Sequence, residues 1–156
     1  MKISRFYIIL LPAVFLLFFS NLFLSCTGTN YEKKIPGWYT CSTKINKTTL
    51  AAEVTYYKNG DLKFDATVSE DVIENVSMKI KIKMIGTWSY TDGKIYEKLK
   101  SIEVSPKIIE EAIKESILKE YEKEQDKGSV VKEINDYSMV LVNDKGEETI
   151  YTRVKK

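Results

Sequence analysis

The chain is predicted to be mainly β: an antiparallel meander of about eight strands closing into a barrel, with one α-helix inserted before the last three strands. From Val76 to Met84, apolar residues alternate with Ser77, Lys79, Lys81 and Lys83, the period of a strand with one buried face. Asn59-Gly60 and Asp92-Gly93, pairs suited to the positive φ angles of tight hairpin turns, each separate two such stretches. After Ser105-Pro106 the apolar spacing changes to three and four, and beyond Gly128 it returns to short strand-like runs.

In chain order, Pro36-Gly37 opens a β-branched and aromatic segment from Trp38 to Ile45, the first strand. Leu50 to Lys58 is the second, and Asn59-Gly60 turns it into a third, in which Leu62, Phe64, Ala66 and Val68 alternate with polar neighbours. The lysine-bearing strand from Val76 bends at Gly86, where a bulge is expected, and continues through Trp88 and Tyr90. Asp92-Gly93 reverses it into Lys94 to Val104. Counting the bend as internal gives eight strands, and as a break gives nine. Ser105 then caps a helix of about 106–126 whose first turn suits Pro106. Its apolar stripe is Ile109, Ala112, Ile113, Ser116, Ile117 and Tyr121, with Glu110 and Glu111 at the end that the helix dipole favours for acids. Ser129 to Ile134, Tyr137 to Val142 and Glu147 to Val154 complete the sheet.

Ahead of this domain, Lys2 and Arg5 precede an uncharged apolar run from Phe6 to Leu24, the build of a secretory signal peptide. A single membrane anchor is the alternative, but Pro12 and Asn21 interrupt the run and no positive cluster follows it. Leu22-Phe23-Leu24-Ser25-Cys26 resembles the lipobox of bacterial lipoproteins, with small Ser25 before the cysteine and a departure at Phe23, where that family most often has leucine. The resemblance implies cleavage before Cys26, a diacylglyceryl group on its sulfur and an acylated amine, such as with palmitate. Residues 1–25 are then a signal peptide, 26–35 the lipidated cysteine and a tether, and 36–156 the β domain. The implied location is the cell membrane or outer membrane, facing the periplasm or exterior. Thr27, rather than aspartate, follows the cysteine and favours the outer membrane where one exists.

Loss of residues 1–25 removes Lys2 and Arg5 and no acid, so the 24 basic residues fall to 22, matching the 22 acidic ones. A neutral chain excludes the electrostatic footprint of a nucleic-acid binder. Of the two cysteines, Cys26 is the lipidation site and Cys41 is left as a small hydrophobe of the first strand. The sequence holds no histidine, no glycine-rich phosphate loop and no paired cysteines, so neither an enzyme nor a cofactor or metal is expected.

Arg153 is the only arginine after the signal peptide, and it lies on the last strand. An aromatic on the first strand with an arginine on the last resembles the lipocalin-like (calycin) barrels, where a first-strand tryptophan packs against a last-strand arginine at the closure. The resemblance implies Trp38 and Arg153 as the closing pair. The family's Gly-x-Trp is Gly37-Trp38 here, and the family's helix follows the barrel rather than interrupting it. An antiparallel sandwich or half-barrel packed on the helix is the alternative with the same strands.

A closed barrel would be lined by Val54, Tyr56, Phe64, Met78, Ile80, Ile82, Met84, Trp88 and Tyr90. These residues either surround a small hydrophobic ligand or fill the interior themselves. The expected function is therefore non-catalytic and lipid-anchored. It involves either a ligand in the barrel or a protein or envelope component met by the outer surface, with the protein partner unspecified. Lys79, Lys81 and Lys83 are expected to form a solvated face with acids opposite, rather than a headgroup site.

Overall fold

A computed structural model describes residues 31–45, 48–73 and 76–155. The predicted signal peptide, Cys26 and most of the tether lie outside the described residues. Eight strands pair in sequence order as a closed antiparallel barrel. They are β1 (Gly37–Ile45), β2 (Thr48–Tyr56), β3 (Asp61–Ile73), β4 (Val76–Thr91), β5 (Lys94–Ser105), β6 (Ser129–Ile134), β7 (Ser138–Val142) and β8 (Glu148–Arg153). Between β5 and β6 come a 3-10 turn, Lys107–Ile109, and helix α1, Glu110–Glu124. No helix among the described residues is long and apolar enough to cross a membrane.

The Asp92-Gly93 turn is as expected, whereas at Asn59-Gly60 only the glycine takes a positive φ. Gly60 has φ +84°, while Asp92 and Gly93 have φ +52° and +81°, the paired positive angles of a tight hairpin. β4 is one strand of 16 residues, so the count is eight. At Gly86 its register with β5 shifts, Ile85 facing Ser101 while Gly86 faces Leu99, which leaves Lys100 as the extra residue of a bulge. A Cβ on Gly86 would lie 2.3 Å from the Lys98 carbonyl oxygen, so only glycine admits this approach.

The strands differ greatly in length. β3 and β4 have 13 and 16 residues, whereas β6, β7 and β8 have 6, 5 and 6. The short strands wall off one end of the barrel, around Tyr39, Val54, Tyr56, Ile95, Met139 and Tyr151. At the other end the long strands continue without them. There the concave face made by Leu50, Ala66, Val68, Ile80, Ile82 and Val104 is covered by Ile113 and Ile117 of α1. Each of these isoleucines is nearly fully buried, a contribution of roughly 1.5–3 kcal/mol apiece.

The helix is entered differently from the sequence expectation. Ser105 ends β5, and no side chain caps either the 3-10 turn or α1. Ala112, assigned to the apolar stripe, is exposed, because the stripe narrows to Ile113, Ile117 and Tyr121, the side chains that reach the sheet. The tether also ends earlier than expected. Tyr31 packs against the core, Ile35 is completely buried, and the amides of Lys34 and Ile35 bond the Tyr31 carbonyl at 2.8 and 3.1 Å. This turn plugs the short-strand end of the barrel.

β5 and β6 share only two register pairs, Lys94 with Val130 and Ile95 with Ser129, which leaves the next backbone groups of β5 without a strand neighbour. Tyr121 of α1 takes that place. Its hydroxyl accepts from the Leu99 amide at 2.7 Å and donates to the Glu97 carbonyl at 2.6 Å. Tyr121→Phe is expected to leave both groups unsatisfied and to cost about 1–3 kcal/mol, read as a lower denaturant midpoint. An unchanged midpoint would show that the seam does not depend on this hydroxyl.

Candidate functional site

Two places concentrate polar chemistry inside the barrel, the β1–β8 closure and the neighbourhood of Glu97. At the closure, Tyr39 faces Arg153 and Thr40 faces Thr152. The Arg153 guanidinium lies over the Tyr39 ring, 4.7 Å from its centroid. Nη1 donates to the Pro36 carbonyl at 3.1 Å, and Nη2 donates to the Lys34 carbonyl and the Tyr39 hydroxyl. The Tyr39 hydroxyl in turn donates to the Ile35 carbonyl at 2.8 Å. Burial raises the ionisation of Tyr39 above its ordinary range more than the guanidinium lowers it.

The aromatic partner of Arg153 is therefore Tyr39 and not Trp38. Side chains alternate across a strand, so buried Tyr39 points inward while half-buried Trp38 takes the other face and meets β8 through its carbonyl, which accepts from Val154 at 2.8 Å. With Tyr39 as the aromatic, Gly37-Trp38-Tyr39 has the Gly-x-aromatic spacing of the lipocalin-like pattern. A Cβ on Gly37 would stand 2.6 Å from Arg153 Nη1, so a side chain there would displace the guanidinium.

The predicted interior residues all sit on the concave face, but the helix divides them. Ile80 and Ile82 are buried beneath α1, with Met78 packed beside them, whereas Tyr56, Trp88 and Tyr90 belong to the short-strand end. Tyr56 stands edge-on between Tyr39 and Trp88, at centroid distances of 6.0 and 5.7 Å. Phe64 touches both clusters. What remains empty between them is about 40 Å³, bounded by Val54, Phe64, Met84, Glu97, Leu141 and Tyr151 among others. A pocket for a drug-sized ligand takes roughly 300–1,000 Å³, so side chains fill this interior.

A larger hollow of about 580 Å³ lies on the outer wall, where β1 and β8 diverge beyond their two register pairs. Thr40, Ser42, Glu53, Asp65, Ile150 and Thr152 line it, and Cys41 lies at its floor. Burial pushes the Cys41 thiol up to about 11, the behaviour of a packing residue rather than of a nucleophile. Lys79, Lys81 and Lys83 are exposed, and Lys83 lies between Asp65 and Glu103 on the neighbouring strands.

Glu97 was not singled out by the sequence reading. It alternates in register with Ile95 and Leu99, so β5 delivers its carboxyl inward. The residue is partly exposed as a whole, but desolvation dominates its ionisation and holds the carboxyl above its ordinary range; the Tyr56 hydroxyl, donating to Oε1 at 2.6 Å, opposes this in part. Burial likewise raises Tyr56, Tyr151 and Tyr121. The sequence signal was available as a lone acid at an inward position of β5, but the weak alternation of that strand hid it. Among the described residues no group of three or more His, Cys, Asp or Glu is placed to hold a metal.

The chain matches no protein-family model, and no curated protein matches it.

Two measurements check this description. Arg153→Lys replaces a planar fork with a point charge that cannot both stack and serve three oxygens. It is expected to cost about 1–3 kcal/mol, against less than about 0.5 for Lys155→Ala, and equal melting temperatures would remove the closure role. The second concerns pH. The folded state favours protonated Glu97, so the associated stability is fully present below the ordinary carboxylate range and is lost as pH rises through the raised value. Glu97→Gln should flatten that decline and match or exceed the parent's stability at pH 8. A variant that keeps the parent's pH slope would assign the effect elsewhere.

Proposed function

We propose that the protein is a lipid-anchored component of a bacterial cell envelope that acts by binding through its outer wall, rather than by catalysis or by carrying an apolar compound in its barrel. The observation that carries this reading is the filled interior. Among the described residues the hollow at the centre of the core measures about 40 Å³, while the outer hollow at the β1–β8 seam measures about 580 Å³. The anchor rests on Cys26 and the apolar run before it. Tyr31, packed into the barrel's plugged end, lies five residues beyond Cys26, a reach of at most about 18 Å for extended chain. The plugged end would thus lie nearest the lipid, and the helix-covered end and outer wall would face partners. Several acyl chains give stable attachment where a single one is marginal.

The test uses the full chain, expressed with its own leader in a bacterial host. Labelled palmitate should enter the protein and be lost in Cys26→Ala, and native mass spectrometry from mild detergent should give the mass of the lipidated polypeptide alone. Label retained by the variant would overturn the anchor. A stoichiometric apolar compound travelling with the protein would restore the barrel interior as the site.

A further inference from the structure

Buried carboxylates are ordinarily paired with a cation, because an uncompensated buried charge is expensive. Glu97 departs from this. Tyr56 engages Oε1 at 2.6 Å, and no hydrogen bond is made to Oε2 among the described residues. Burial and the Tyr56 hydrogen bond are what move its ionisation, and its own charge bears in turn on Tyr56 of β2, Tyr151 of β8 and Tyr121 of α1. Lys127, just past α1, and Lys94, on β5, are engaged elsewhere. Lys127 pairs with Glu124 at 2.9 Å and Asp144 at 2.6 Å, and Lys94 reaches the Lys127 carbonyl at 3.3 Å. Glu97 also borders two hollows. One is the interior cavity of about 40 Å³, and the other, about 20 Å³, lies between β5, β6 and the C-terminal end of α1. Both are lined by Glu97, Tyr121 and Ser129, so the two hollows adjoin at these three residues.

We propose that the interior cavity beside Glu97 is a binding site for a small nitrogen cation, ammonium or the head of a primary amine, held by the carboxyl oxygen that Tyr56 leaves open and by the tyrosine-lined wall around it. The size of the hollows sets the class, since a site needs roughly 10–15 Å³ to hold a water-sized group and the interior cavity offers about 40 Å³. The wall sets the preference. Tyr121 and Tyr151 line the interior cavity with aromatic rings, surroundings that favour a donor cation, and Ser129 lies beside them. Occupancy supplies the missing charge, so the carboxyl ionises when the cation enters. This site is independent of the outer-wall reading, which concerns larger partners.

The test uses the full chain in non-ionic detergent at pH 8 and constant ionic strength. Ammonium and methylammonium chloride are compared with potassium and tetramethylammonium chloride, following the tyrosine ring resonances and the Glu97 carboxyl carbon by NMR. The first two salts should give saturable shifts at the tyrosines, and the midpoint of the Glu97 titration should fall toward the ordinary carboxylate range when methylammonium is present. Glu97→Gln, which keeps an acceptor for Tyr56, should abolish the shifts, while Glu53→Gln on the outer wall should leave them unchanged. Equal responses to potassium, a titration midpoint unmoved by methylammonium, or shifts that persist in a folded Glu97→Gln protein would each overturn the site.

Discussion

The constraint behind this architecture is that a closed wall is built from strands of unequal length. β3 and β4 run for 13 and 16 residues, while β6 to β8 together return in strands of no more than six. A barrel abolishes sheet edges only where every strand has neighbours on both sides. Here that holds at one end. At the other, the inner face of the long strands would be left to water and the β5 backbone would lack partners. Helix α1 answers both needs, covering the face with Ile113 and Ile117 and satisfying the edge through the Tyr121 hydroxyl. The position of the helix in the chain follows from this. It comes between β5 and β6 because the wall is incomplete there.

The closure at β1 and β8 faces the same shortage, since two register pairs hold the seam. Arg153 compensates by binding three oxygens of the first strand and the segment before it, and by stacking on Tyr39. The carbonyls it holds belong to Lys34 and Pro36, so the guanidinium that closes the wall also fixes the plug formed by Tyr31 to Ile35. Wall and plug are therefore expected to loosen together.

Much of this was legible in the sequence because strand periodicity and turn chemistry are local. Val76 to Met84, Asn59-Gly60 and Asp92-Gly93 state their conformation without reference to the rest of the chain. The lone arginine pointed to the closure for a physical reason, the need for a planar donor. Its aromatic partner was misassigned by one residue because parity along β1 decides which side chain enters the barrel, and Trp38 and Tyr39 are equally good strand residues. The plug was read as tether because five residues carry no period. Tyr121 was seen as one member of an apolar stripe, since what its hydroxyl does depends on where β6 stops pairing.

Glu97 exposes a different limit. Its inward position follows from its register with Trp88, beyond the bulge at Gly86, and the weak alternation of β5 hides it. Folding accounts for one of its oxygens, the acceptor for Tyr56, but not for its charge. Tyr39, Tyr56 and Tyr121 each place an aromatic body in the core and have a partner for the hydroxyl, a favourable use of a buried tyrosine. A carboxyl in the same surroundings must give up its charge or find another, whereas a neutral amide of the same shape would serve Tyr56 without that cost. The barrel has excluded most ligands by filling itself, yet it has kept a desolvated acid beside the space that remains. That combination favours selection for a small polar guest over selection for stability.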